Sequence, residues 1–256
     1  MEEEQHKFVI QGGSLEKSLK RETQLDLKAI AKEAWNLSKN DKTPVLHGML
    51  LLVFIAILFA WVLQSLFGIT DLNVLPQRMM IGLKFAGVIV TTPIIAAMFL
   101  VGISHSVGIK PKFISILKNV MGSVLVILLA LLLAAMSDVG SFVGAQVSVL
   151  LGLLVLFYIN LATGFSIMLL VEKRLAPSQC VIQSFKVFHK YWMPLSIFYV
   201  VYYCCLFLGL MSLGFAYIWI IPFFINMKGI LYRELFGVKV RSVKNDTNKD
   251  EAVFHA

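Results

Sequence analysis

Ionic charge is scarce in this chain. Of its 256 residues, 15% are charged and 58% are hydrophobic, where soluble domains carry about 25% charge. A water-soluble fold of this length has too little interior to hide so much apolar surface, which excludes an ordinary aqueous globule. Paired cysteine is also missing. Of the three cysteines, Cys180 lies in a basic stretch, and Cys204 and Cys205 are adjacent in an apolar run. Neighbours on a helix point about 100° apart, and no CxxC spacing occurs, so free, packing cysteines are expected. The five histidines, His6, His47, His105, His189 and His255, form no HExxH or similar metal spacing. There is no P-loop and no dinucleotide fingerprint, so no metal and no cofactor is expected. Ser104-His105-Ser106 has no acid in sequence reach. His47, His105, His189, Glu172 and Glu234 can gather at the cytoplasmic interface, where the loop polar groups of any membrane protein collect. The chain is therefore expected to be non-enzymatic.

Long apolar runs are what the chain has. Several reach the roughly 20 residues that cross a bilayer core as helix, the state that satisfies backbone groups in hydrocarbon. They do not alternate as barrel strands do. Six spans are expected: Val45–Phe67, with Pro44 suiting its start; Met79–Ile103; Val120–Met136; Val143–Val171; and a hairpin of Pro194–Leu210 and Leu213–Tyr232. A turn at Ser137–Ser141 is expected to join the third and fourth. The first 43 residues carry eight Lys/Arg and eight Asp/Glu with no early apolar region, so no cleaved signal peptide is expected.

Basic residues test this count. Lys/Arg divide 21 against 2, with only Arg78 and Lys84 on the opposite side, and they alternate correctly for six spans. The positive-inside rule then puts both termini in the cytoplasm. The net charge of +8 implies anionic lipid headgroups at the cytoplasmic face of the bilayer as partners. No basic patch with interleaved aromatics points to nucleic acid.

Two stretches are amphipathic. Leu27, Ile30, Ala31, Ala34 and Trp35 form one helical stripe opposite Lys28, Lys32, Asn36 and Lys39; Val181, Phe185, Phe188 and Trp192 form another. Such helices lie in the headgroup plane or cap the bundle's cytoplasmic side. A unit of amphipathic stretch, helix, outer turn and returning helix recurs from Leu25, Pro111 and Ser178. The expected organisation is a disordered tail at 1–22, an amphipathic helix at 23–43, a membrane domain at 44–240 and a disordered tail at 241–256. The fold class is all-α: a polytopic bundle of about six membrane helices with one or two interfacial helices.

Polar residues within spans mark a pathway or helix packing. Lys84 is read as the one clear intramembrane charge, either snorkelling or lining a path. Asn160, Thr163 and Asn226 are candidates for a polar cavity or for helix packing. Pro93 and Pro222 are candidate kinks, with Thr91 and Thr92 able to satisfy freed backbone groups near the former.

Ser184-Phe185-Lys186, Tyr191-Trp192, Gly214 through Ile221-Pro222, and Tyr232-Arg233-Glu234-Leu235-Phe236-Gly237 resemble a group of bacterial six-helix inner-membrane proteins. Leu27–Ala31 with Trp35 is similar to that group's start. Its relatives include the membrane domain fused to some glycerophosphoryl diester phosphodiesterases. The resemblance spans residues 25–240 and implies a bacterial inner-membrane location. It brings no catalytic residue, because that chemistry belongs to a separate soluble domain. The expected function is a non-enzymatic role in envelope or lipid homeostasis or in organising partners. The alternative is a transporter or channel for a small or lipid-like solute.

Overall fold

A computed structural model describes residues 8–67, 76–243 and 251–253. In chain order the elements are β1 (Phe8–Gln11), α1 (Leu15–Leu19), α2 (Leu27–Asn40), α3 (Thr43–Phe67), α4 (Gln77–Ser106), α5 (Phe113–Met121) and α6 (Val124–Ala145). There follow α7 (Val149–Ala162), α8 (Ser166–Lys173), α9 (Pro177–Lys190), α10 (Trp192–Met211), α11 (Tyr217–Phe236), β2 (Val238–Val243) and β3 (Glu251–Val253). The chain is a helical bundle with one small antiparallel sheet, ordered β1-β2-β3.

Five segments are long and apolar enough to cross a membrane: α3, α4, α6, α7 together with α8, and α10. Multi-pass membrane insertion follows from their length and hydropathy. α11 is not among the five. It has 20 residues, but its second half carries Lys228, Arg233 and Glu234.

An amphipathic helix opens each of three successive units, α2-α3-α4, α5-α6-α7/α8 and α9-α10-α11. One or two interfacial helices were expected, and the repeat placed a further amphipathic stretch from Pro111; α5 lies there, nine residues long, and buries Phe113, Ile116 and Val120. α2 starts where Asp26 accepts from the Lys28 and Ala29 amides at 2.9 and 3.1 Å. It buries Ile30, Ala34 and Ser38 and leaves Lys28, Lys32 and Lys39 exposed. α2 is a packed helix of the bundle. Glu33 meets Arg233, Ser38 meets Asn226, and Trp35 meets Phe223, so the two helices run antiparallel.

Two boundaries differ from expectation. Ser137–Ser141 is no turn but the interior of α6, and the connection to α7 lies at Gln146–Ser148. Gly140 and Gly144 serve packing there: a Cβ at Gly144 would stand 3.0 Å from Gly152 Cα on α7. Ser148 caps α7 by accepting from the Leu151 amide at 3.0 Å. The fourth span is also not one helix, because it breaks between Ala162 and Ser166.

The expected disordered tails are corrected where the structure describes them. β1 pairs with β2 from Phe8↔Arg241 to Gln11↔Val238, and β2 pairs with β3. The anchor is the C-terminus of α11, whose last carbonyls need partners. Gly13 N–H donates to Arg233 O at 3.1 Å, and Ser18 Oγ donates to Leu235 O at 2.6 Å. Gly237, at φ 66, turns the chain and donates to Arg233 O at 2.9 Å. Lys173 Nζ donates to Phe236 O and Gly237 O at 2.8 and 3.1 Å. Residues 1–7, 244–250 and 254–256 of the expected tails lie outside the described residues.

Candidate functional site

The crossing of α4 and α11 sets the geometry. Gly102 and Gly229 face each other: a Cβ on Gly229 would overlap the Gly102 carbonyl, and one on Gly102 would overlap the Ile225 carbonyl. Small residues let membrane helices approach this closely. One turn from each glycine stand His105 on α4 and Asn226 on α11, and the approach brings their side chains together.

Asn226 is fully buried and uses both ends of its amide. Nδ2 donates to Ser38 Oγ on α2 at 2.8 Å, and Oδ1 lies 2.9 Å from His105 Nδ1. Ser38 donates its own proton to Ala34 O at 2.8 Å, so its hydroxyl accepts from the amide. The amide carbonyl therefore faces His105, and Nδ1 carries the hydrogen. His105 Nε2 has no hydrogen-bond partner and lies 3.8 Å from Asp41 Oδ2. One amide thus ties α2, α4 and α11 into a unit.

A charged layer lies alongside. Arg233 grips Glu33 of α2 in a fork, at 2.7 and 3.1 Å. It also donates to Glu234 Oε1 from Nε and Nη2 at 2.9 and 2.8 Å, and to the Ser106 carbonyl. Bidentate arginine–carboxylate pairs fix geometry as well as adding strength. Tyr232 donates to Glu172 Oε2 at 2.8 Å, joining α8 to α11. The ends of α2, α4, α8 and α11 form one polar platform. Among the described residues no three His, Cys, Asp or Glu gather as metal ligands do.

The residues expected to mark a cavity stand apart. Asn160 is exposed and donates to Leu156 O of its own helix at 2.7 Å. Thr163 is buried and donates to Ile159 O at 2.8 Å. Lys84 pairs with Asp138 of α6. Asn226 alone joins a network. Pro93 and Pro222 lie inside continuous helices. Thr91 and Thr92 donate to the Gly87 and Val88 carbonyls at 2.8 and 2.6 Å, while proline at 93 frees the carbonyl of Ile89. The one interruption within the five candidate spans, at Thr163–Phe165, has no proline. Ser184 of α9 supports it instead, donating to Ala162 O at 2.7 Å and accepting from the Phe165 amide at 3.2 Å.

Three participants escaped the sequence. Asp138 is a carboxylate within the candidate span α6, concealed by its turn-like neighbours Ser137, Gly140 and Ser141. Ser38 hides among polar neighbours at the end of a basic helix. Lys228, which sequence assigns to the basic tail, lies inside α11 with Nζ 3.9 Å from the Phe99 ring centroid. Its signal is the apolar run on either side. No family model, curated protein or solved structure matches this chain.

Proposed function

We propose that the chain is a non-enzymatic bacterial inner-membrane protein that supports envelope or lipid homeostasis, or organises partners, through cytoplasmic-face helices held firmly on the bundle. In this reading α11 is the sixth span and both termini are cytoplasmic, as the 21-to-2 division of Lys/Arg supports. The exposed Lys28, Lys32 and Lys39 of α2 meet anionic headgroups.

One observation carries the reading: each polar side chain expected to mark a path already has a partner in the protein, on another helix or on its own backbone. Asn226 ties α2 to α4 and α11, and Lys84 ties α4 to α6. Asn160 and Thr163 bond to their own helices. A permeation path would need such groups to face a shared space, and Asn226, Lys84 and the neighbouring Asn160 and Thr163 share no partner.

Reconstitution of the purified chain in vesicles with trapped solutes tests this. The expected result is no flux above protein-free vesicles, together with a reproducible set of lipids or proteins co-purifying from native membrane. Asn226→Leu is expected to free α2, seen as new proteolysis within residues 27–40 and loss of the co-purifying set. Saturable flux that Asn160→Leu or Asn226→Leu abolishes would overturn the proposal in favour of a transporter.

A further inference from the structure

A cavity of about 400 Å³ lies where α8 ends, between α4, α5 and the start of α6, lined by Leu100, Asn119, Ser123, Leu125, Leu170 and Arg174 among others. Small-molecule sites are of this size. Ser123 immediately precedes one candidate span, Val124–Ala145, and Arg174 immediately follows another, Val149–Lys173. The cavity therefore sits at the membrane boundary, and its wall reaches about two turns inward along α4, to Leu100.

Its lining divides by chemistry. Leu100 and Leu170 are buried and form an apolar floor. Arg174, Asn119 and Ser123 are more open and form a rim of hydrogen-bond donors. No carboxylate lines the cavity, and among the described residues Arg174 forms no ion pair. The Ser123 hydroxyl does not cap α6, which it precedes. Arg174 also closes α8 in the left-handed region, at φ 52, a helix end that glycine takes without strain. An arginine there costs the fold something, and what it contributes is a guanidinium on this rim.

We infer that this cavity holds the phosphate of an anionic glycerophospholipid, with Arg174 as its counter-ion, Asn119 and Ser123 as further donors, and the acyl chains lying against the exposed Val124, Leu128 and Leu132 of α6. A guanidinium fork matches phosphate oxygens, and a donor rim over an apolar floor matches an amphiphile at the bilayer boundary. Without a carboxylate the cavity offers no partner to the ammonium of phosphatidylethanolamine, so an anionic headgroup is favoured. The inference rests on the chain being in a membrane, and not on the proposed scaffold role: vesicle flux tests that role, and lipid retention tests this site.

The test is native mass spectrometry of the full chain in detergent, titrated with dioleoyl phosphatidylglycerol, dioleoyl phosphatidylethanolamine and glycerol 3-phosphate. One retained phosphatidylglycerol per chain is expected, with phosphatidylethanolamine about tenfold weaker, the scale of a hydrogen bond to a charged group. Arg174→Gln should weaken phosphatidylglycerol about tenfold, whereas Lys28→Gln, which removes the same charge from α2, should leave it in place. Arg174→Gly should lose the lipid equally while its melting temperature holds or rises, because glycine suits the left-handed position. Equal retention by the wild type and Arg174→Gln would overturn the site, as would equal losses in Arg174→Gln and Lys28→Gln, the mark of general surface charge. Phosphatidylethanolamine matching phosphatidylglycerol would overturn it too, and so would glycerol 3-phosphate displacing the lipid at equal concentration, which would make this a site for a soluble phosphate. A melting temperature that falls in Arg174→Gly would make the arginine structural and remove it as the phosphate ligand. If Arg174→Gln does not fold, Asn119→Ala decides, with a severalfold loss of phosphatidylglycerol expected and unchanged retention overturning the site.

Discussion

Ser184 spans the gap between α7 and α8, giving its proton to the Ala162 carbonyl at 2.7 Å and taking one from the Phe165 amide at 3.2 Å. Non-helical backbone at membrane depth persists only where protein satisfies it. Ser184 is fully buried, so no water replaces it. Ser184→Ala leaves a buried donor and a buried acceptor unmet and should cost ~2 kcal/mol. Thermal unfolding in detergent should fall by about 4–8 °C. A melting temperature unchanged to within about a degree would show that the break holds itself.

Lys84 and Asp138 form an ion pair between α4 and α6. Both side chains are partly exposed on the protein surface, at 51% and 38%, so the pair is worth modestly less than a buried one, with a coupling of ~1 kcal/mol. Removing one partner should cost up to about that coupling, because each lone charge keeps part of its exposure. Lys84→Met and Asp138→Leu are each expected to lower stability, and the double variant to recover much of the loss. A double-mutant cycle on unfolding temperature or folded yield measures this. Additive single effects would show that the two charges act independently.

The same pair shows where sequence reasoning succeeds and where it stops. The apolar runs behind α3, α4, α6, α7/α8 and α10 are legible because exclusion from water acts on composition, residue by residue. The amphipathic stripe of α2 is legible for the same reason. Asp138 was not, because Ser, Gly and Asp in a row also suit a turn, and only the close approach of α7 reveals the glycines as packing surfaces. The fourth span's break is illegible too: its support comes from Ser184, on a different helix. Asn226 could be picked out as a deep amide, but its partners Ser38 and His105 are 188 and 121 residues away in sequence. Those pairings depend on which helices cross, which periodicity does not encode. The sheet was missed because its strands are short: β2 does alternate, with Val238 and Val240 buried and Lys239 exposed, but over too few residues to stand out beside a charged tail. Val9 and Ile10 of β1 are in fact exposed.

Glycines of α4 and α11 offer an internally controlled comparison. Gly229 lies against the Gly102 carbonyl, with no room for a Cβ, whereas Gly82 and Gly87 have nothing within 4 Å of that position. Gly229→Ala must push α4 and α11 apart, which also separates His105 from Asn226. A loss of ~2 kcal/mol or more, the scale of an overpacked core, is expected. Gly82→Ala and Gly87→Ala relieve the entropic cost of glycine within a helix and should gain up to ~1 kcal/mol. Melting temperatures of the three variants should split in sign, and a uniform response would remove the close crossing as their cause.

Cys180 lies on α9, outside the five candidate spans, and is buried with Sγ 3.6 Å from the Leu175 carbonyl. Burial pushes its thiol up to about 11. The thiolate is the reactive form, so alkylation by iodoacetamide should be slow at neutral pH and stay slow through pH 9. The unfolded chain, with the ordinary thiol value, ionises first as pH rises. The folded state gains nothing from that ionisation, so its stability contribution from Cys180 is full below about 9 and is lost as pH climbs toward 11. In a Cys204→Ser, Cys205→Ser background, mass spectrometry should show Cys180 labelled at least about tenfold faster in denaturant than in the native protein at pH 8. Equal rates would mean that the α9 face carrying Cys180, Ser184 and Val187 is not packed on the bundle, and the support of the α7–α8 break would go with it.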